Sequence, residues 1–262
     1  MDQYLKIRHS GAIGDLIYSL PYVKSLGKKV DFYVGEHSFV TGKANKDTPA
    51  NLCKMIKGLY PLSNTIYEKN HSNFKALKRL LENQHYIHAA YPDQDDQKYK
   101  IDLNDFRKSW SDNMSILEIV NKHFKWYGYT KDEPFLRADK LEGFEDTCLC
   151  FRSPRYVTDS GITRYRKLIE HIKKETNVQK FLFVGIDKEY EYFIKNIYEI
   201  DRYKTEDMFD VATIINSAPI GIYNCSSPLA IAVGLSKPRY IESPQSHTIF
   251  SVKLDSMMEK FF

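Results

Sequence analysis

Residues 4–34 read YLKIRHSGAIGDLIYSLPYVKSLGKKVDFYV. An apolar, β-favouring run at Tyr4–His9 gives way to a helix-like stretch at Asp15–Leu26 and then to a second β-favouring run at Val30–Val34. Strand, helix and strand at this spacing predict a βαβ unit, and with it a parallel sheet. The rhythm continues with a helix at Pro49–Leu59, a short strand at Thr65–Tyr67, a helix at Asn73–Leu81 and a strand at Tyr86–Tyr91. Pro92–Asp112 shows neither period and reads as a long surface loop, a kind of segment that often carries function. A helix is expected over Asn113–Phe124, after which Gly128–Gly143 is polar and unperiodic and marks a domain boundary.

The second half restarts the pattern. Strands are expected at Thr147–Phe151, Lys180–Val184, Pro219–Tyr223 and Arg239–Ile241, with helices at Thr163–Glu175, Lys188–Tyr198, Asp207–Ala218 and Pro228–Leu235. The fold class is therefore α/β, two Rossmann-like domains facing a cleft, one over 1–143 and the other over 144–262. In open parallel sheets ligands bind at the carboxyl ends of the strands, so the loops after the strands are the candidate sites.

Composition agrees with a folded, globular chain. Its 262 residues are 42% apolar, 27% charged and 14% aromatic, enough to bury roughly 70% of the unfolded surface. The longest apolar run, Leu229–Leu235, is far short of the ~20 residues that a bilayer-spanning helix needs. No signal peptide is read at the N-terminus, so a soluble protein without integral membrane association is expected, in the cytoplasm of a bacterium or of an infected host cell. Cys53, Cys148, Cys150 and Cys225 are scattered, which suits free thiols. The net charge of +4 is too small for a polyelectrolyte binder, but it leaves room for anionic substrates held by local basic loops.

Three loops could carry chemistry. His9–Asp15 (HSGAIGD) places Ser10, Gly11, Gly14 and Asp15 after the first strand, where glycines permit close backbone approach and a carboxylate suits a helix start. A plain N-cap role explains Asp15 as well. The spacing matches neither a dinucleotide fingerprint nor a P-loop. Arg152, Ser153 and Arg155 (FRSPRY) follow the first strand of the second half, and two guanidiniums there suit a diphosphate. Between Arg152 and Lys174 there are seven Lys/Arg against two acidic residues; a solvated helix face accounts for Lys173 and Lys174, less well for the two arginines. Asn224, Cys225, Ser226 and Ser227 precede an Ala-rich helix whose amino terminus offers N–H groups to oxygen ligands, although ordinary capping by a serine explains the same letters. A rival reading is Asp93-Gln94-Asp95, a D-x-D just past a strand, which could hold Mg²⁺ or Mn²⁺. Cys148 and Cys150 lack a second pair at zinc-site spacing and read as buried thiols.

The strand followed by HSGAIGDLIYSLP resembles the opening of the family 9 glycosyltransferases, the heptosyltransferase-like enzymes. Asp207–Pro238 (DMFDVATIINSAPIGIYNCSSPLAIAVGLSKP) is similar to that family's C-terminal pattern of helix, strand, polar turn, Ala-rich helix and Gly-x-x-Pro. The chain departs from the pattern at Asn224, where an acidic residue is usual, at Ser226, where glycine is usual, and at Leu229, where histidine is common. It is also short for the family.

The resemblance implies a GT-B fold and a glycosyl transfer from a nucleoside-diphosphate sugar by inverting displacement. No metal and no cofactor beyond the nucleotide-sugar co-substrate are implied. Asp15 matches the general base, and Arg152, Ser153 and Arg155 occupy the phosphate-loop position. Gly185 and Glu189 fall where the nucleoside is contacted, Asn224–Ser227 complete the donor pocket, and Asp93 and Glu242 border the cleft. The acceptor is expected to be a glycan or, from the Lys-, Tyr- and Ile-rich composition, a hydroxymethylated base in viral DNA. The competing expectations are a catalytically degenerate nucleotide-sugar-binding or phosphate-binding protein and a metal-dependent D-x-D transferase.

Overall fold

Ten short strands, all paired in parallel, form two separate sheets in a computed structural model that describes residues 3–10, 12–35, 73–94, 97–111, 114–126, 128, 133–152, 159–224, 226–242 and 259–261. The first sheet contains β1 (Leu5–His9), β2 (Val30–Val34), β3 (Ile87–Pro92) and β4 (Ile101–Asp102), in the order β3-β2-β1-β4. The second contains β5 (Thr147–Cys150), β6 (Lys180–Val184), β7 (Asp201–Tyr203), β8 (Ile220–Tyr223), β9 (Arg239–Ile241) and β10 (Glu259–Phe261), in the order β10-β9-β8-β5-β6-β7. The architecture is α/β, and among the described residues no single sheet runs through both halves. The helix expected at Pro49–Leu59 and the strand at Thr65–Tyr67 lie outside the described residues, as does Cys53.

Among the described residues seven α-helices accompany the strands: α1 (Ile13–Ser25), α2 (Asn73–Glu82), α3 (Ile116–Phe124), α4 (Asp159–Glu175), α5 (Asp187–Asn196), α6 (Met208–Ser217) and α7 (Ser227–Gly234). Helix α3 starts at Ile116 because Ser115 caps it: its hydroxyl accepts from Glu118 N while the Glu118 carboxylate accepts from Ser115 N, a reciprocal capping box. Asp207 caps α6 by accepting from the amides of Phe209 and Asp210.

The long surface loop expected over Pro92–Asp112 is corrected. It contains β4, which pairs with β1, and a 3₁₀ helix at Leu103–Ser109 capped by the Asp102 side chain. A two-residue strand is too short to show a period. A 3₁₀ helix brings residues i and i+3 to one side, here the buried pair Leu103 and Phe106.

One hydrophobic cluster joins the two sheets. Leu16, Ile17 and Leu20 of α1 and Leu77 and Leu80 of α2 share it with Ile214 of α6 and Leu229, Ile231 and Val233 of α7. Helix α1 packs on α7 and α2 on α6. The segment read as a polar boundary also contributes. Phe135 and Leu136 are buried and both donate their amides to Gly234 O. A Cβ on Gly234 would lie 2.6 Å from Leu136 Cδ1, so a larger residue there would make the Leu136 and Phe135 side chains shift. On the other face of the second sheet, Cys148 and Cys150 alternate with Leu149 and point into a smaller cluster with Tyr165, Phe183 and Phe193. Both thiols are free and buried.

Candidate functional site

Strand order places the site. In the first sheet the chain runs β1-β2-β3 to one side and returns to place β4 on the other, so its topological switch point falls between β1 and β4. In the second sheet the reversal falls between β5 and β8. The loops after these four strands carry Ser10–Asp15, Leu103–Ser109, Arg152–Arg155 and Asn224–Ser227. Lys24, near the carboxyl end of α1, bonds to Glu133 and to Pro134 O, while Phe135 and Leu136 bond to Gly234 at the carboxyl end of α7. One strap thus ties the carboxyl ends of α1 and α7 together, and their amino termini, with Asp15 and Ser227, emerge on the other side.

Across the first switch point Asp15 Oδ2 meets Arg107 Nη2 at 2.5 Å. Asp15 is not the N-cap of α1, which is Ala12; it lies one turn in, where a carboxylate still favours the positive helix end. Arg107 is held from behind. Its Nη1 donates to Asn104 Oδ1 at 2.7 Å and its guanidinium carbon lies 4.8 Å from the centre of the Phe106 ring. The same Asn104 oxygen accepts from Ser10 N at 3.0 Å, and Asn104 Nδ2 donates to Asp102 Oδ1 at 2.6 Å. Sequence reasoning missed Arg107 and Asn104. The only local signal is Asp102-x-Asn104, a turn-capping pattern inside a segment that shows no period.

Around this pair, the Ser10 hydroxyl oxygen is buried without a hydrogen-bond partner among the described residues. Apart from its chain neighbours and its own helix backbone, no described atom lies within 4 Å of where a Cβ on Gly14 would stand. Gly11 lies outside the described residues. Asp93 is engaged: its Oδ2 pairs with Arg8 at 2.8 Å and its Oδ1 accepts from the Tyr99 hydroxyl, which raises the phenol's pKa chiefly through burial and next through that bond. Asp95 lies outside the described residues, and among those described no group of three metal-ligating side chains forms.

The second site differs in burial. Arg152 is at a strand's carboxyl end as expected, but its side chain is only 1% exposed and faces Glu242, at 3.8 Å from Oε2. Arg164 reaches Glu242 Oε1 at 3.3 Å. Burial pushes the Glu242 carboxyl above its ordinary range, and the two arginines pull it back without cancelling the rise. Ser153, Arg155 and Cys225 lie outside the described residues. Asn224 is fully buried. Ser226 occupies the N-cap of α7 without a side-chain cap bond; its hydroxyl donates to Asn224 O at 3.3 Å. Ser227 opens the helix and is partly exposed.

Glu189 is buried and its Oε2 accepts from Ile186 N at 3.3 Å, closing the start of α5. A Cβ on Gly185 would fall 2.7 Å from that same Oε2, so Gly185 makes room for the cap, and its carbonyl accepts two bonds from Arg202.

No family model and no curated protein matches the sequence. Among solved structures, the chain is similar to a glycosyl transferase family 9 protein from Veillonella parvula, with a TM-score of 0.53 at 10% identity over 100% of this chain and 86% of that one. It also aligns with the E. coli heptosyltransferase WaaC bound to ADP-2-deoxy-2-fluoro heptose, with a TM-score of 0.49 at 12% identity over 98% of this chain and 93% of that one. No helix among the described residues is long and apolar enough to cross a membrane. The likeness to the Veillonella structure, together with the two parallel sheets, gives this chain the two-domain GT-B fold found in family 9 glycosyltransferases.

Proposed function

We propose that this protein is a glycosyltransferase that moves a sugar from a nucleoside-diphosphate sugar to an acceptor hydroxyl by metal-independent, inverting displacement. The observation that carries the reading is the Asp15–Arg107 pair across the first switch point, on the side where the amino terminus of α7 also emerges. Asp15 takes the acceptor's proton as the hydroxyl oxygen attacks the anomeric carbon. The bond to the leaving diphosphate breaks on the opposite face, and the nucleoside diphosphate departs with the electron pair. General-base help of this kind contributes roughly 10²–10⁴-fold. The open space over Gly14 suits an acceptor that must approach the backbone closely.

The donor falls to the second switch point. The start of α7 at Ser226 and Ser227 is suited to phosphate or hydroxyl oxygens through its serine hydroxyls and the positive helix end, since Pro228 has no N–H and Leu229 N already donates to Ser226 O; Asn224 and Cys225 precede it in sequence. Ser153 and Arg155 complete this side, and Gly185 and Glu189 border the nucleoside. Arg152 contributes positive potential from within the fold. Asp93, already neutralised by Arg8, serves the acceptor side and not a cation. The acceptor is a glycan or a hydroxymethylated base in viral DNA, the latter requiring the base to be flipped out of the stack. Cytoplasmic placement goes with this reading.

A second reading has one observation in its favour. Arg152 is turned into Glu242, as in a protein that keeps the fold but binds nucleotide sugars or phosphates without turnover. The test is a thermal-shift screen against nucleotide sugars and nucleoside diphosphates, followed by product release from the donors that bind. A donor held at 100 times its Kd stabilises by about 2.7 kcal/mol. Binding with release that survives EDTA supports the transferase; binding without release supports the degenerate protein. Loss in EDTA that Mn²⁺ restores would return Asp93 and Asp95 to the centre.

A further inference from the structure

We infer that Arg107 is the positioning residue that fixes the orientation and the ionisation of Asp15, and that Asn104 is the brace that holds it there. The inference rests on the transferase reading above, in which Asp15 is the base. A base at the edge of a cleft must present one oxygen in a set direction and must be ionised before the acceptor arrives. A carboxylate one turn into a helix has neither property guaranteed, since its own side chain rotates freely about two bonds.

The geometry supplies both. Arg107 grips Oδ2 at 2.5 Å, so a group on another element bears on the carboxylate's orientation. That group is itself immobilised on three sides: Asn104 Oδ1 in the guanidinium plane, the Phe106 ring below it, and the 3₁₀ backbone that Asp102 caps. Asn104 Oδ1 also accepts from Ser10 N, in the very loop that leads to Asp15. One amide oxygen therefore registers the arginine against the strand end from which the base projects. A structural ion pair between surface elements would not need this second link.

Among the described residues, charged and titratable groups lie on the elements around Asp15 as follows. On its own helix the nearest carrier is Lys24, at the far end. The 3₁₀ helix brings Arg107, with the exposed Asp105–Lys108 pair on its outer side. Strand β4 brings Asp102, and β1 brings Arg8, which is shared between Asp102 and Asp93, and the buried His9, whose ring stacks on Phe106 with centroids 6.4 Å apart. Helix α3, packed on α1, carries Glu118, committed to its capping box, Lys122, and His123, whose Nδ1 meets Ser109 Oγ. Helix α7 has no titratable side chain. Arg107 stands in direct ion-pair contact with Asp15.

The experiment follows the Asp15 carboxyl carbon by ¹³C NMR through a pH titration of the full chain, in the parent and in Arg107→Gln and Arg107→Lys. The parent midpoint should lie below that of Arg107→Gln by about one pH unit or more, with Arg107→Lys in between because a lysine restores charge without the fork. Asn104→Ala should move the midpoint in the same direction by less. Turnover is read with UDP-glucose and ADP-heptose as donors, by release of the nucleoside diphosphate. The acid limb of kcat should move with the NMR midpoint while donor KM stays put. An unchanged Asp15 midpoint in folded Arg107→Gln overturns the inference and leaves the transferase reading standing if Asp15→Asn is inactive. An active Asp15→Asn takes both down together.

Discussion

Each sheet of this protein carries an arginine facing a carboxylate beyond its carboxyl edge, and the two pairs are built in opposite ways. Asp15 and Arg107 meet at 2.5 Å with side chains 23% and 32% exposed. Arg152 and Glu242 stand 3.8 Å apart with side chains 1% and 0% exposed. The first pair is close, wet and available to a ligand. The second is loose, dry and surrounded by protein. Water screens the first, so its contribution to folding is small and its geometry can serve chemistry. The second contributes little net stability while intact, because desolvation opposes the attraction, but breaking it strands a charge in a poor solvent. A short ion pair is thus the candidate for function, and a long one the structural liability.

The largest expected effect is on folding, at the second pair. Arg152→Ala leaves Glu242 with Arg164 as its cationic partner among the described residues and should cost about 3–5 kcal/mol at neutral pH, a fall in Tm of several degrees for a chain of this size. The sign of the pH dependence follows from Glu242, whose folded-state pKa is raised by burial. A carboxyl with a raised folded pKa stabilises most below its unfolded value and loses that contribution as pH climbs through the folded value. Removing Arg152 takes away one of the charges that hold the value down. The deficit relative to the parent should therefore shrink on acidification toward pH 4–5, read from Tm against pH. Equal melting of variant and parent at pH 7 would break the comparison and release Arg152 as a donor ligand.

Next in size is the converse at the first pair. Asp15→Asn should lower turnover by roughly 10²-fold or more while stability falls by no more than about 1 kcal/mol, read as a shift of a few degrees in Tm. A large loss of stability with ordinary turnover in the survivors would make the two pairs alike, both structural.

How far this contrast could be read from sequence depends on the distance over which each part is encoded. The βαβ opening and the strands at Lys180–Val184 and Arg239–Ile241 show themselves in local alternation and flanking helices, and the structure has strands at those same residues. Asp15 and Arg152 were legible as strand-end residues because the carboxyl edge of a parallel sheet is a position along the chain. Their partners were not. Arg107 is 92 residues from Asp15 and is brought to it by the pairing of a two-residue strand that leaves no pattern. Glu242 stands one residue past β9, and nothing local says that Arg152 turns inward to meet it. The cap at Ser115-x-x-Glu118 was there to be read and would have moved the start of α3 to Ile116. Strand β7 escaped because Asp201–Tyr203 is a three-residue edge strand with polar residues.

The smallest effect lies in the seam between the two sheets and asks whether the halves are held by charge or by packing. Arg79 of α2 reaches across to Asp207 Oδ2 at 2.9 Å and Asp210 Oδ1 at 3.1 Å, and its guanidinium carbon lies 4.8 Å from the centre of the Phe209 ring. Its side chain is 53% exposed. The two carboxylates raise its affinity for the proton, but a guanidinium is charged at any working pH, so that shift has no consequence for function. Solvent screening should reduce the whole arrangement to under about 1 kcal/mol. Beneath it, Leu77, Leu80, Ile214 and Leu229 belong to one buried cluster drawn from both halves, and fully burying each such side chain is worth roughly 1.5–3 kcal/mol. Packing should therefore dominate. Arg79→Gln should keep a single cooperative unfolding transition, lower Tm by a degree or two in dilute buffer, and become indistinguishable from the parent in 1 M NaCl, where the screening length is about 3 Å. Asp207 gives the internal control: it also caps α6, so Asp207→Ala should cost about 1 kcal/mol more than Arg79→Gln and retain that excess in salt. Two separate transitions in Arg79→Gln would show instead that a surface charge holds the halves together.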